Sequence, residues 1–252
     1  VRAGRSYLYP LTARSVILSV LLGTHPPVLS ARTLVGTLAL FGIAEGTTRV
    51  ALSRLAAEGD LVAEGGRYRL SGRLLERQKL QDEALRPPTR PWKGGWELAV
   101  AASGQTSPAQ KNALGADMAR LRLACLRAGV WVRPDNLNRP WPAELAKRAW
   151  RFESISPPFG PMSPAELVAE LWDLGGWASF AQTLVADLGS CDDPAQRFEI
   201  ATALVRHLRC DPVLPAELLP PDWPGASLRR AYDSYRKELA RLIERQRRQH
   251  DP

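Results

Sequence analysis

The sequence predicts an α+β chain made of several domains in series, and three observations lead there. Residues 43–70 read as a helix followed by two short strands around a Gly-Gly pair, Trp96 to Ile155 alternates strands with helices, and helical periodicity takes over after residue 162. At 252 residues the chain is long enough for two or three domains, each with its own core.

Taken in order, Thr12 to Gly23 forms a first helix, with Val16, Ile17, Val20 and Leu21 at helical spacing. Pro26-Pro27 bars its continuation, because proline lacks the amide donor and restricts the residue before it. Ser30 is a good N-cap for a second helix, whose Leu34, Leu38 and Phe41 fall at i, i+4 and i+7 before Gly42 closes it. On a wheel, the third helix gathers Thr48, Ala51, Leu52 and Leu55 on one face and leaves Gly46, Arg49, Val50 and Ser53 opposite, with Arg54 on the flank. Ala44 stands at its cap without a side-chain acceptor, so its start is weak.

Gly59 stops the third helix, and Leu61 and Ala63 then alternate with Val62 and Glu64 as a half-buried strand does. Gly65-Gly66 is a strong two-residue hairpin signal, since primed turns need positive φ at both central positions. On the return strand Tyr68 and Leu70 face one way and Arg67 and Arg69 the other. Three helices and a hairpin are the order of a winged helix-turn-helix. Small, hydroxyl and arginine side chains on the free face suit a major groove, where arginine bonds guanine O6 and N7. The expected DNA contacts are Thr47, Arg49, Val50, Ser53 and Arg54 from the helix and Arg67 and Arg69 from the wing. A solvated amphipathic helix explains the charged face equally well on its own; the adjoining arginine hairpin tips the balance.

Ser71 opens a fourth helix running to about Arg86, whose Leu74, Leu75, Leu80 and Leu85 make no ordered stripe, as in a linker helix. Pro87-Pro88, Pro91, Gly94 and Gly95 mark a boundary, and all eight tryptophans lie between Trp92 and Trp223. Next come a strand (WELAVAA), a helix from Ser107 or Pro108 to about Leu121, a strand on Val130-Trp131-Val132, a helix over 143–147 and a strand from Trp150 to Ile155. That alternation in so small a unit predicts a ferredoxin-like α+β domain, although the strand before Gly129 is weakly marked. A second proline-rich boundary covers residues 156–161.

Beyond it, Ser163 and Glu166 form a capping box, Asp192 or Asp193 caps another helix, and Phe198, Ala201, Val205 and Leu208 line one face of that one. In the last helix Leu228, Tyr232, Tyr235, Leu239 and Leu242 repeat at four-three spacing; two heptads favour packing within the chain over a coiled-coil dimer. The expected division is a winged-helix domain with linker helix at 1–86, a central domain at 92–156 and a helical domain at 162–252.

Formal net charge is +8, with +5 over residues 1–86, −1 over 87–225 and +4 over 226–252, so the basic ends favour a polyanionic partner. Cys125, Cys191 and Cys210 are too few and too widely spaced for a disulfide framework or a zinc site, which points to a reducing cytoplasm. Arg2, Arg5 and Arg14 before the apolar run Val16 to Leu22 have the look of a signal peptide. The run is short, contains Ser19, keeps helical spacing and is far below a membrane span. Histidine occurs only at His25, His207 and His250, in separate segments, and no nucleophile–base pair, catalytic residue, metal site or cofactor motif emerges.

The run Arg49 to Leu55 with Glu58-Gly59, then Gly129-Val130-Trp131 with Pro134, Trp172-Asp173-Leu174, and Asp211-Pro212 through Leu218-Leu219-Pro220 and Asp222-Trp223-Pro224-Gly225 resembles the PaaX family of phenylacetate-pathway repressors. The blocks fall in the expected order across nearly the whole chain. The resemblance implies a winged helix, a ferredoxin-like middle similar to a CRISPR adaptation nuclease and a helical C-terminal domain. It further implies a homodimeric repressor released from double-stranded operator DNA by an aryl- or acyl-coenzyme A. The family often has an aspartate ending the first central strand; here the residues are Ala101-Ala102-Ser103.

Two rival functions differ in class. A metal-dependent nuclease needs carboxylates or histidines converging on a metal or water, and the first central strand ends in Ala101-Ala102-Ser103 without an acidic residue there. A nonspecific architectural binder needs only the basic ends and the wing, which leaves two further domains without a role. Arginines interleaved with tryptophans in residues 120–151 match an acyl-coenzyme A, phosphates on arginine and the acyl group on tryptophan: Arg122, Arg127, Trp131, Arg133 and Trp150 are the candidates. Their ordinary roles are solvated arginine and core tryptophan, and Cys125 is expected to be a free thiol rather than a redox sensor.

Overall fold

A computed structural model describes residues 7–102, 107–155 and 162–250. Arg2, Arg5, Ser103 and the boundary at 156–161 lie outside the described residues. The chain mixes helices with two antiparallel sheets and forms two compact units: Val1–Leu85 with Phe180–Arg209 and Pro224–Pro252, and Arg86–Ser179 with Cys210–Trp223.

In the first unit, α1 (Ala13–Gly23) starts at Thr12, which forms a capping box with Ser15, and buries Val16, Ile17, Val20 and Leu21 completely. Strand β1 (Val28–Ser30) leads directly into α2 (Ala31–Ala39), where the Ser30 hydroxyl accepts from the Thr33 amide and Leu34 and Leu38 are fully buried. Helix α3 (Glu45–Ala57) packs on α1 and α2 through Thr48, Leu52 and Leu55. Strands β2 (Leu61–Glu64) and β3 (Arg67–Leu70) pair antiparallel with Glu64 opposite Arg67, and the turn residues Gly65 and Gly66 have φ of +55° and +73°. Positive φ at both positions is why two glycines stand there. β1 joins the other side of β3, giving the order β1-β3-β2; its three residues carry no strand signal of their own and are strand only by that pairing.

Helix α4 (Gly72–Leu85) is more than the expected linker. It buries Leu74, Gln78, Gln81 and Ala84, and Gln78 Nε2 donates to the carbonyls of Leu22 and Thr24, each at 3.0 Å, at the open C-terminal end of α1. The unit is completed by most of α8 (Leu174–Ser190), by α9 (Pro194–Leu208), capped by Asp193, and by α10 (Gly225–His250). α9 buries Phe198, Ala201, Val205 and Leu208; Phe198 meets Phe41 with ring centroids 4.7 Å apart. The seam of α10 packs on α2 and α9 within the chain, with Leu228, Tyr232 and Tyr235 buried. The compact units therefore cut across the three consecutive segments read from the sequence, because the apolar faces of α9 and α10 find their partners among the N-terminal helices.

The second unit is a four-stranded antiparallel sheet in the order β5-β6-β4-β7, from β4 (Trp96–Ala101), β5 (Ala124–Arg127), β6 (Val130–Pro134) and β7 (Ala149–Ile155). α5 (Pro108–Arg120) follows β4, and the short α6 (Ala143–Ala146) precedes β7. One sheet face packs Ala99 and Trp131 with Leu114, Met118 and Leu145 of those helices. The other packs Trp96 and Val132 with Leu167 and Val168 of α7 (Pro164–Leu171) and with Leu214 and Leu218 of the returning segment. Among the described residues no helix is long and apolar enough to cross a membrane.

Candidate nucleic-acid interface

The side of α3 turned away from the core carries Gly46, Thr47, Arg49, Val50, Ser53 and Arg54, all exposed. It does so because Thr48, Leu52 and Leu55, spaced by four and three, fix the opposite side inward, and Thr48 also ties its hydroxyl back to the Ala44 carbonyl at 3.1 Å. Val50 is 51% exposed at the centre of the free face, an apolar side chain that fits the methyl of a thymine. Thr47, Val50 and Arg54 line one shallow groove beside the start of α1.

The two helix arginines are not equivalent. Arg49 is engaged by Glu45 one turn earlier, at 2.7 Å, whereas Arg54 has no ion-pair partner among the described residues and its guanidinium is free to meet a base edge. Sequence reasoning placed both on the face and could not see this difference, although an i, i+4 Glu–Arg spacing is a visible signal. No side chain caps the helix start, so the first amide donors of α3 remain unmet by any cap.

Beside the helix, Arg67 and Arg69 project from the exposed side of β3 while Tyr68 and Leu70 turn toward the unit. The hairpin is held to the helix by Asp60, a buried residue that sequence reasoning passed over. Its carboxylate binds Arg14 of α1 at 2.5 Å and also Arg73 of α4, its amide donates to the Leu55 carbonyl at 2.9 Å, and its carbonyl accepts from Ser71 at 3.0 Å. Arg14 reaches Glu58 as well. One residue thus ties the end of α3 and the root of the hairpin through its backbone and two flanking helices through its carboxylate.

The five residues singled out for an effector do not converge. Arg133 is fully buried, and burial pushes its pKa down to about 9. Its donors are taken by the carbonyls of Pro134, Arg122 and Val213 and by Asn136 Oδ1 at 2.8–3.2 Å, which makes it a brace for the returning segment. Arg122, at φ +62°, donates to the Asp211 carbonyl. Trp131 sits in the helix-side core, Trp150 is 67% exposed on the opposite sheet face, and Arg127 is exposed on the bulged edge strand. Glu97, 2% exposed in β4, accepts from Arg139 and Arg151, each at 2.8 Å, and Arg151 also lies over Trp141. The cations of this stretch are largely spent on structure.

Comparison with known proteins agrees with the sequence resemblance. The family described as PaaX-like protein matches residues 12–74, and the PaaX-like protein C-terminal domain matches residues 177–247. Among solved structures, uncharacterized protein Rv0674 from Mycobacterium tuberculosis is 45% identical, with 94% of this chain and 100% of that chain covered and a TM-score of 0.83. No curated protein matches the chain.

Proposed function

The chain belongs to the family of PaaX-like proteins, and from that premise we propose that it is a ligand-responsive transcriptional repressor that binds double-stranded operator DNA as a homodimer in the cytoplasm. In this reading the first unit carries a winged helix: α3 enters the major groove and the β2–β3 hairpin lies along the phosphates. The observation that carries it is the pairing of an exposed Thr47, Val50, Ser53 and Arg54 face with a hairpin that offers Arg67 and Arg69. The βαββαβ order and β5-β6-β4-β7 sheet support reading the second unit as ferredoxin-like.

An aryl- or acyl-coenzyme A is the proposed releasing ligand, as the family resemblance implies, and the role is non-catalytic. Where β4 ends, Ala101 and Ala102 offer no carboxylate to a metal. Gel shifts with DNA from the chain's own promoter region and with a scrambled duplex test the reading. Preference for the promoter by at least about a hundredfold is expected, since specific binders exceed their own nonspecific affinity by roughly a thousandfold or more. Equal affinity for both would make the protein an architectural binder. Incubation with magnesium or manganese leaves single- and double-stranded nucleic acid intact; cleavage lost on mutating a carboxylate of the second unit would establish a nuclease instead.

A further inference from the structure

Within the first unit, α1, the β1 strand, α4, α9 and α10 surround a cavity of about 390 Å³. Six arginines line it, Arg67, Arg77, Arg206, Arg209, Arg236 and Arg247, against a single lining carboxylate, Glu244. Three of the six are occupied: Arg236 pairs with Asp233 at 2.9 Å, Arg247 with Glu244 at 3.8 Å, and Arg206 donates to the Tyr7 carbonyl and lies over the Tyr9 ring. Arg67, Arg77 and Arg209 have no carboxylate within ion-pair reach among the described residues. Arg77 is held below its ordinary pKa by burial and by the neighbouring charge of Arg209. Two guanidinium groups on one concave wall that no carboxylate offsets repel each other, and an anion between them turns that repulsion into attraction. The remaining wall is apolar and aromatic, with Phe198, Val205, Leu239 and Ile243, and burial pushes the Tyr232 phenol up to about 12, so it stays a neutral hydrogen-bonding group.

We propose that this cavity binds a small molecule carrying a phosphate group joined to an apolar ring or acyl portion, with Arg77 and Arg209 holding the phosphate and Arg67 transmitting occupancy to DNA. Two guanidinium forks match phosphate oxygens, and the aromatic wall takes the apolar portion. The cavity is at the small end of ligand sites, so a large thioester would leave part of itself outside. Arg67 begins β3, opposite Glu64 on one side and Ser30 on the other, and belongs both to the cavity wall and to the exposed hairpin. A phosphate inside competes with a DNA phosphate for the same guanidinium. The coupling rests on the DNA-binding reading above; the cavity assignment does not.

Calorimetry on the full chain tests it with four probes: phenylacetyl-coenzyme A, coenzyme A, inorganic pyrophosphate and phenylacetate. Binding of the phosphorylated probes and failure of phenylacetate is expected, with the thioester tightest. Arg77→Gln and Arg209→Gln each weaken phenylacetyl-coenzyme A by about tenfold or more, as loss of a charge-assisted phosphate pair does. Neither variant melts below the wild type, because each side chain is exposed and has no carboxylate partner to lose; a merely structural arginine would lower the melting temperature. Arg209→Lys, which keeps the charge and loses the fork, falls between. Binding of every probe unchanged in these variants, or no binding by the wild type, overturns the cavity assignment and leaves specific operator binding standing. If the thioester binds through Arg77 and Arg209 but wild-type protein shows no operator preference, the DNA reading fails and the cavity stands. Operator affinity that does not fall at saturating thioester overturns the coupling through Arg67.

Discussion

Arg54→Ala is the sharpest probe of the α3 face. Arg54 is exposed and unpaired, so its whole donor set is available to DNA, and a bidentate contact to guanine contributes about 1–3 kcal/mol, or roughly 5- to 160-fold in affinity. Arg49 must first give up Glu45, an exposed i, i+4 pair worth about 0.3–0.5 kcal/mol. Its removal should therefore cost about twofold less than removal of Arg54, even if both make the same kind of contact. Glu45→Gln frees Arg49 and takes a negative charge from the DNA-facing side, so it should tighten binding, and the tightening should vanish when Arg49 is already alanine. Fluorescence anisotropy with operator and scrambled duplexes, repeated from about 50 to 200 mM salt, separates the possibilities. A base contact lowers the operator-to-scrambled ratio and changes the salt slope little. If Arg54→Ala weakens both duplexes alike and flattens the slope by about one, Arg54 is a phosphate contact and the reasoning from its free guanidinium is wrong.

Other substitutions test the frame around that face. Arg67→Ala should weaken all sequences together and flatten the salt slope by about one, read in the same titration. Asp60→Ala removes the carboxylate shared by Arg14 and Arg73; both arginines can rehydrate, so the loss should stay near about 2 kcal/mol, a drop of about 4–8 °C in melting temperature. Glu97→Ala should cost more, about 3–5 kcal/mol by chemical denaturation, because Arg139 and Arg151 are only 13% and 19% exposed and are left without their shared carboxylate. Gly66→Val forces a β-branched residue into φ of +73° and should cost about 1–2 kcal/mol; no loss of stability would mean that the turn rearranges.

The readable parts of the chain were those whose cause is local. The α3 face follows from the spacing of Thr48, Leu52 and Leu55, the hairpin from Gly65-Gly66, and the start of α2 from Ser30, each settled within a few residues. β1 was missed because Val28–Ser30 is a strand only through β3, some forty residues later. The apolar faces of α9 and α10 were read correctly, but an apolar face does not say which helix covers it. Arg133 looked like a ligand arginine in a run rich in tryptophan, and only the fold reveals that its donors meet carbonyls from Arg122 and from Val213. Conversely, Arg77 and Arg209 gave no joint signal, standing in different segments with nothing in their neighbours to link them.

The discontinuity of the first unit bears on how the chain comes off the ribosome. The N-terminal helices leave the exit tunnel with the faces that will meet α9 and α10 still bare, and α10 does not begin until residue 225. At about 5–20 residues per second, that exposes Leu38, Phe41 and Gln81 for on the order of 10–40 s, and the second unit too waits for Leu214 and Leu218, which arrive just before α10, to cover one face of its sheet. A fragment cut after Leu85 would keep those faces open permanently and should aggregate instead of binding DNA. Transplanting the proposed DNA-reading part into another protein would then require carrying α9 and α10 with it, as two extra segments from far along the gene.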